Sequence, residues 1–490
     1  MTGMIRSMAG PKQILPQARG TVAESDRTLY ARTRPVAALV LFFYILVYEL
    51  VFFNSGVSDV GSPIWFFKLG FPFLLLLWAM LQHKGLLARS PTSQKYTVAF
   101  IAFISVALMP SVAVGGAESI VSWSRYAIRL VYCTGLIMLL DKDRRLLVLL
   151  AKLAVIWAVA SVAQYLLLII GGQHTNVGLV LEGRTAMAGP MGLLGNVNSF
   201  VEKSTLPISL VRLCGFWLEP SNASAFLFAS FYLAKFVAEV EGSRIWRLFA
   251  FICFFGGTMC MSNAGFSALG AAILCGAVIK TPNARTRRVS RYIMLCLGVT
   301  LVCFGLLGRW IVATHVPGLE TAAAITGVKT TGTSFDTLSD WDYTEGRADL
   351  LLDALQSTME QPFGIGVRVN EEQGWQQVSA SAPFFWLKFT GIAGFVALLF
   401  REWVVISSIS RHRTLDPARK LMAQAWVVVL VQNLSYGTWM SPLYLTLTAG
   451  LLALERVPLS VPGPVRRRDG TRLPLVPVAR ADAGLTPNLW

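Results

Sequence analysis

The sequence predicts an all-α, polytopic transmembrane helical bundle of about 12 spans with a large, partly helical outer loop. Three observations predict it. Of 490 residues, 54% are hydrophobic and only 14% charged, where a soluble chain carries roughly a quarter, and the mean hydropathy is +0.57. Apolar runs near the bilayer-crossing length of roughly 20 residues recur along the whole chain, among them Val36–Phe53, Leu146–Ile170 and Arg291–Ala313. The runs are continuous rather than alternating, which selects helices over a closed barrel, the other backbone arrangement that hydrocarbon tolerates.

Spans are expected near 36–53, 63–81, 96–114, 119–140, 146–170, 216–238, 245–261, 264–280, 291–313, 383–406, 418–435 and 437–454. Residues 1–35 are polar and basic, and Val36–Phe53 is expected to act as a targeting signal that stays in place. The loops at 82–95, 281–291 and 401–420 are basic, as is the tail with Arg466, Arg467 and Arg468. Basic loops stay in the cytoplasm, so both termini are expected there, and the formal charge of +16 is explained without nucleic acid. Residues 455–490, rich in Pro and Arg, read as a disordered basic tail. Basic residues flank 245–280 on both sides, which requires an even number of crossings and a hairpin turning at Ser262-Asn263-Ala264-Gly265.

Two long segments remain for the outer side, 171–215 and 314–382. The second carries ten acids, from Glu320 to Glu372, against Lys329, Arg347 and Arg368. Its acidity opposes every basic loop and supports the same topology.

Ionisable residues inside spans are costly and mark function. Glu49, Lys68, Arg125, Arg129, Glu219 and Lys388 all fall toward the outer ends of their spans. Lys68 and Lys388, each taken alone, read as side chains snorkelling to the interface. Arg125 and Arg129 lie four apart on one helix face and offer a fork of donors suited to phosphate or carboxylate. Arg184, Arg212, Arg347 and Arg368 add arginines to the outer side, where the alternative is pairing with nearby acids. No HExxH, Walker A or GxSxG motif occurs, and the four histidines lack ligand spacing, so neither a metal nor a cofactor is expected. The seven cysteines all lie in or beside apolar runs, which argues against a disulfide framework.

Four stretches carry a resemblance. Arg212-Leu-Cys-Gly-Phe-Trp-Leu-Glu219-Pro220-Ser221 is similar to an R-x-x-G-x-x-x-E-P-S segment. Gly346-Arg347, followed by Pro362-Phe-Gly364-Ile-Gly366, is similar to a G-R … P-x-G-x-G segment. Trp386-Leu-Lys-Phe-Thr-Gly391-Ile-Ala-Gly394 resembles a span beginning close to substrate, and Met261-Ser-Asn-Ala-Gly265-Phe-Ser resembles a helical hairpin. In this order they resemble the O-antigen polymerase/ligase superfamily, Wzy-like polymerases and O-antigen ligases, over roughly residues 180–400. Ten residues stand between Arg184 and Gly195, like the R-x10-G pattern of the polymerases, whereas the second copy is missing: Thr358 and Ser379 stand where glycines would follow Arg347 and Arg368. The ligases carry a histidine near the end of the large loop; Ser379-Ala-Ser-Ala-Pro-Phe has none, which favours a polymerase.

The resemblance implies a multi-pass protein of a bacterial inner membrane, working at its periplasmic face without metal. It implies transfer of a glycan from undecaprenyl diphosphate to a hydroxyl of another lipid-linked repeat. Membrane lipid and, as partners, a flippase and a chain-length regulator are implied too. Arg184, Arg212 and Arg347 would hold the diphosphate, with Arg125, Arg129 and Arg368 supporting, because preorganised cations stabilise a leaving diphosphate. Glu219, then Asp349, would accept the hydroxyl proton; Glu219 can equally orient an arginine or stabilise the helix break at Pro220. Trp217, Trp375 and Trp386 are candidates to stack on sugar, against interfacial anchoring as the commoner role of Trp in membrane proteins. The alternatives are a ligase-type glycan transferase, a transporter or flippase of polysaccharide export, and a non-catalytic assembly component.

Overall fold

An apolar run in hydrocarbon must satisfy its own backbone, and helices do so with bonds inside one segment. The structure, a computed structural model, describes residues 20–49, 63–83, 90–170, 179–181, 184–186, 220–260, 262–279, 292–302, 354–367, 382–410, 416–435 and 440–455. Its elements are α1 (Gly20–Glu49), α2 (Pro63–His83), α3 (Pro91–Pro110), α4 (Gly116–Lys142), α5 (Arg144–Ile170), a small antiparallel ribbon of β1 (Leu179–Leu181) and β2 (Arg184–Ala186), α6 (Pro220–Glu241), α7 (Ile245–Met259) and α8 (Asn263–Val278). They continue with α9 (Tyr292–Val302), a short α10 over 354–360, α11 (Ala382–Ser410), α12 (Pro417–Ser435) and α13 (Pro442–Ala453). The architecture is helical, and among the described residues five helices are long and apolar enough to cross a membrane: Pro63–Gln82, Pro91–Gly115, Arg144–Leu166, Asn222–Glu241 and Pro383–Ser410. Shorter apolar helices include Arg34–Tyr48, Ile245–Met259, Ala264–Val278 and Pro442–Ala453.

Proline sets several starts. It opens α2, α3, α6, α12 and α13, where its missing N–H leaves no extra orphan donor and its fixed φ suits the first turn. Ser441 adds a cap to α13, accepting from the Tyr444 amide at 3.2 Å. Gly242, at φ +70, ends α6.

The structure shifts some boundaries. The first helix begins at Gly20 rather than near residue 36 and runs through Pro35, and the rest of 1–35 lies outside the described residues. Between the spans expected at 96–114 and 119–140 there is no loop. α3 passes into a π-helical turn, Ser111–Gly115, and Gly116 at φ +70 restarts the helix.

Contacts between helix ends sort them into two faces. At one face Arg34 of α1 pairs with Asp143 between α4 and α5, and Lys142 donates to Gln82 of α2 at 2.6 Å. Lys152 of α5 pairs with Glu241 of α6 at 2.5 Å, and Thr92 of α3 donates to Glu455 beyond α13 at 2.9 Å. Lys420 of α12 donates to the Ile279 carbonyl beyond α8 at 3.1 Å. The expected hairpin at 245–280 is present. α7 starts beside Glu241 and Lys152, through Trp246, and its far end, at Gly257, packs on Phe228 of α6. α8 starts against Ser224 of α6 through Gly265 and returns to Lys420. The turn is capped by Ser262, whose hydroxyl accepts from the Gly265 amide at 3.3 Å.

Two central helices organise the core. α6 is packed by α5, α7, α8 and α12, and α4 by α2, α3 and α13. Gly135 explains the close approach of α4 to α2: a Cβ there would lie 3.0 Å from the Leu76 backbone.

Candidate functional site

The opposite face carries three features at neighbouring levels, each built from residues far apart in the chain.

The first is a broken helix filled by a returning segment. Gly391 sits inside α11 at φ +67 and ψ −172, which interrupts the helical ladder. Residues 362–366 take the place of the missing turn. Ile365 and Gly366 donate their amides to the Lys388 and Phe389 carbonyls at 3.3 and 3.0 Å, and the Ile392 amide donates to the Pro362 carbonyl at 2.9 Å. Val367 donates to the Ser111 hydroxyl at 3.2 Å, which ties the segment to the α3–α4 turn as well. The glycines are required by space as well as by φ. A Cβ on Gly391 would lie 2.3 Å from the Pro362 carbonyl oxygen, and one on Gly364 would lie 2.5 Å from the Gly391 amide nitrogen. Gly364 and Gly366 also have φ of +88 and +82. Non-helical backbone at membrane depth persists only where protein satisfies it, and these four bonds do that.

The second is a cluster of cations with aromatic rings. Lys68 of α2 places Nζ 5.2 Å from the centre of the Tyr48 ring, and Arg129 of α4 places Cζ 5.6 Å from the same ring and 4.9 Å from that of Tyr126. Arg125, one turn nearer the α4 start, is exposed, and both arginines act on Lys68 electrostatically. Rings hold such cations by their negative faces, while the like charges repel across the shared ring. Tyr126 packs on Trp386 at 4.8 Å between ring centres, which links the cluster to the first turns of α11 above Gly391.

The third lies deeper. Arg401 and Glu402 of α11 form an ion pair, with the Arg401 Nε donating to Glu402 Oε1 at 2.8 Å and Tyr444 of α13 donating to Glu402 Oε2. Arg401 is 0% exposed and lies over Phe100 and Phe103 of α3, 4.7 and 5.6 Å from their ring centres. Tyr96 and Cys133 stand within its electrostatic reach.

The expected span 383–406 and the expected basic loop 401–420 overlap at Arg401, and the structure resolves the overlap in favour of the helix. α11 runs on to Ser410, nine residues or about 14 Å further, and Arg401 faces the bundle interior. An adjacent Arg-Glu at the end of an apolar stretch reads as a helix end meeting water, and only the turn of Val-Val-Ile-Ser-Ser-Ile-Ser that follows signals otherwise. Trp386 is corrected too. It is 0% exposed, enclosed by Phe103, Tyr126 and Phe385, so it packs the core rather than stacking on sugar.

Of the candidate site residues, the structure brings Arg125 and Arg129 together and adds Lys68 and Tyr48. Arg184 opens β2 with its backbone opposite Leu181. Arg212, Glu219, Arg347, Asp349 and Arg368, with Trp217 and Trp375, lie outside the described residues. Lys68 was legible only as a lone snorkelling lysine, because nothing in the chain order links it to Arg129. Among the described residues, no group of three His, Cys, Asp or Glu side chains could hold a metal ion.

No family model matches the chain, and no curated protein matches it either. The fold and the described residues define a class, a multi-helix membrane protein with a cluster of cations beside a broken helix.

Proposed function

We propose that the chain is a polymerase joining undecaprenyl-diphosphate-linked oligosaccharide repeats into an exopolysaccharide or O-antigen at the periplasmic face of a bacterial inner membrane. In this reading the chain crosses the membrane about twelve times, with the shorter apolar helices as spans, and both termini are cytoplasmic. The single observation that carries it is the cluster of Lys68, Arg125 and Arg129. Lys68 and Arg129 meet over one tyrosine ring with Arg125 one turn away, a grouping of cations that suits a multivalent anion, and a lipid diphosphate reaches that level by lateral diffusion. The motif resemblance supports it from a second side, since the Pro362–Gly366 and Trp386–Gly394 motifs dock on each other at the Gly391 break.

The reaction needs no metal. The acceptor hydroxyl oxygen forms a bond to sugar C1 while the C1–O bond to phosphate breaks. The lipid diphosphate leaves with the electron pair, and the hydroxyl proton passes to a carboxylate, Glu219 or Asp349. Arg184, Arg212, Arg347 and Arg368 join the described cations around the diphosphate.

Replacing Arg129 with Gln removes the charge and the guanidinium fork that would donate to the diphosphate. In cells lacking the gene, R129Q is expected to lower polymer yield by about a hundredfold, the usual cost of removing one transition-state donor, and to leave lipid-linked single repeats. Arg347→Ala is expected to do the same. Normal polymer length at normal protein level would sink the role of either residue.

A transporter or flippase of polysaccharide export is the second reading. The discontinuous α11 and the ion pair within it favour it, since transporters use broken helices and charges near the midplane. Purified protein in vesicles with lipid-linked repeats separates the two: chain lengthening supports the polymerase, and movement of repeats between leaflets without lengthening supports the transporter.

A further inference from the structure

The segment 354–367 has a side that the bundle leaves uncovered. In α10, Ala354 and Thr358 are buried, and Thr358 donates back to the Ala354 carbonyl at 2.6 Å. On the other side Leu355, Met359 and Phe363 are 37%, 82% and 80% exposed. Their spacing of four places the first two on one helical edge and continues it into the turn after α10. Gln356 and Glu360 form the adjoining edge, hydrogen-bonded to each other at 2.9 Å and exposed. One short element thus carries three strips side by side: buried, apolar and exposed, polar and exposed.

Its depth is set by the same contacts that fill the helix break. Pro362 and Gly366 bond to Ile392 and Phe389. Gly391 lies eight residues inside the apolar span Pro383–Ser410, about 12 Å along the helix. Phe363, one residue from Pro362, is held at that level. Beside it, α11 exposes Ile392 and Val396 on a face continuous with the bilayer-facing surface of the span. A large apolar edge at this depth, continuous with a bilayer-facing surface and bordered by a polar edge, matches an amphipathic element lying in the boundary between headgroups and chains.

We infer that residues 354–363 form an interfacial membrane anchor, with Leu355, Met359 and Phe363 seated among the acyl chains of the leaflet at the cation-bearing face. Gln356 and Glu360 point to the headgroup side. The anchor holds residues 354–363 at the bilayer and keeps the Pro362–Gly366 insert in the α11 break. The inference rests on the membrane-spanning helices alone and not on the polymerase reading.

The test uses the full-length protein with p-benzoylphenylalanine introduced at Met359, Phe363 or Gln356. Each variant is reconstituted in vesicles of phosphatidylethanolamine and phosphatidylglycerol, irradiated and weighed by mass spectrometry. Positions 359 and 363 are expected to gain the mass of one phospholipid several-fold more often than 356. Cross-links from 359 and 363 to another stretch of the same chain, or to a second copy, would overturn the anchor. So would equal lipid capture at all three positions, or none at 359 and 363.

Discussion

Replacing Glu402 with Ala is expected to destabilise the protein by about 3–5 kcal/mol, because it strands the Arg401 guanidinium in an apolar interior. Arg401 is fully buried between α3 and α11, stacked on Phe100 and Phe103, and Glu402 is the carboxylate that faces it. Thermal unfolding of the detergent-solubilised protein measures the loss. Tyr444→Phe removes one hydrogen bond to Glu402 and leaves the pair in place, so it is expected to cost less, about 1–3 kcal/mol. The double variant Arg401→Met, Glu402→Leu removes both charges while keeping the volume, and is expected to recover most of the stability, since apolar replacements of buried pairs are often neutral or better. If Glu402→Ala cost no more than Tyr444→Phe, or if the double variant were worse than the single one, Glu402 would not be the group that offsets the buried Arg401 charge. Retained polymer formation in the double variant would assign the pair to packing; loss of activity in a stable double variant would assign it a role in turnover.

Gly391→Ala is expected to be strongly damaging. The added Cβ meets the Pro362 carbonyl oxygen at 2.3 Å and the Gly364 amide nitrogen at 2.6 Å, both backbone atoms that cannot rotate away. The residue also holds φ at +67 and ψ at −172, an essentially glycine-only region that costs a residue with a Cβ about 1–3 kcal/mol before any clash. The insert must then leave the break, and the carbonyls of Lys388 and Phe389 lose their partners at membrane depth. The expected outcome is a loss of more than about 3 kcal/mol or failure to accumulate folded protein. Gly70→Ala in α2 is the matched control: a Cβ there meets nothing within 4 Å, and the change is expected to be neutral or to stabilise by up to about 1 kcal/mol through helix propensity. Folded yield after detergent extraction compares the two, and similar yields would show that the 362–366 segment does not occupy the break.

Much of the helix layout was legible in the chain order. The spans read at 63–81, 146–170, 245–261 and 418–435 coincide within a few residues with α2, α5, α7 and α12. Proline at helix starts and glycine or serine at the 260–265 turn are local signals with local physics. The hairpin at 245–280 followed from charge on its two flanks, and its ends do return to one face of the bundle. The Pro-x-Gly-x-Gly pattern was visible too, but its reason was not. Three positive-φ glycines in one assembly, Gly364, Gly366 and Gly391, make sense only once two separate stretches share the same space.

The candidate site was legible in part. Arg125 and Arg129 stood out because a four-residue spacing puts them on one helix face. Lys68, Tyr48 and the Arg401–Glu402 pair did not, because partnership between helices depends on which neighbours each helix has and how it is turned about its axis. Hydropathy carries neither quantity.

By itself, the sequence determined that the chain is built from apolar helices, several of them long enough to cross a membrane, where many of these start and turn, and which flanks are basic. These depend on the transfer of each stretch from water to hydrocarbon and on local backbone chemistry, both properties of short windows. Only the tertiary structure decided that Lys68 and Arg129 share one tyrosine ring, that Arg401 is an interior charge rather than a loop one, and that residues 362–366 complete a helix broken at Gly391. Those outcomes are set by contacts between distant segments, where a buried charge or an open backbone bond persists only if the right partner arrives from elsewhere in the chain.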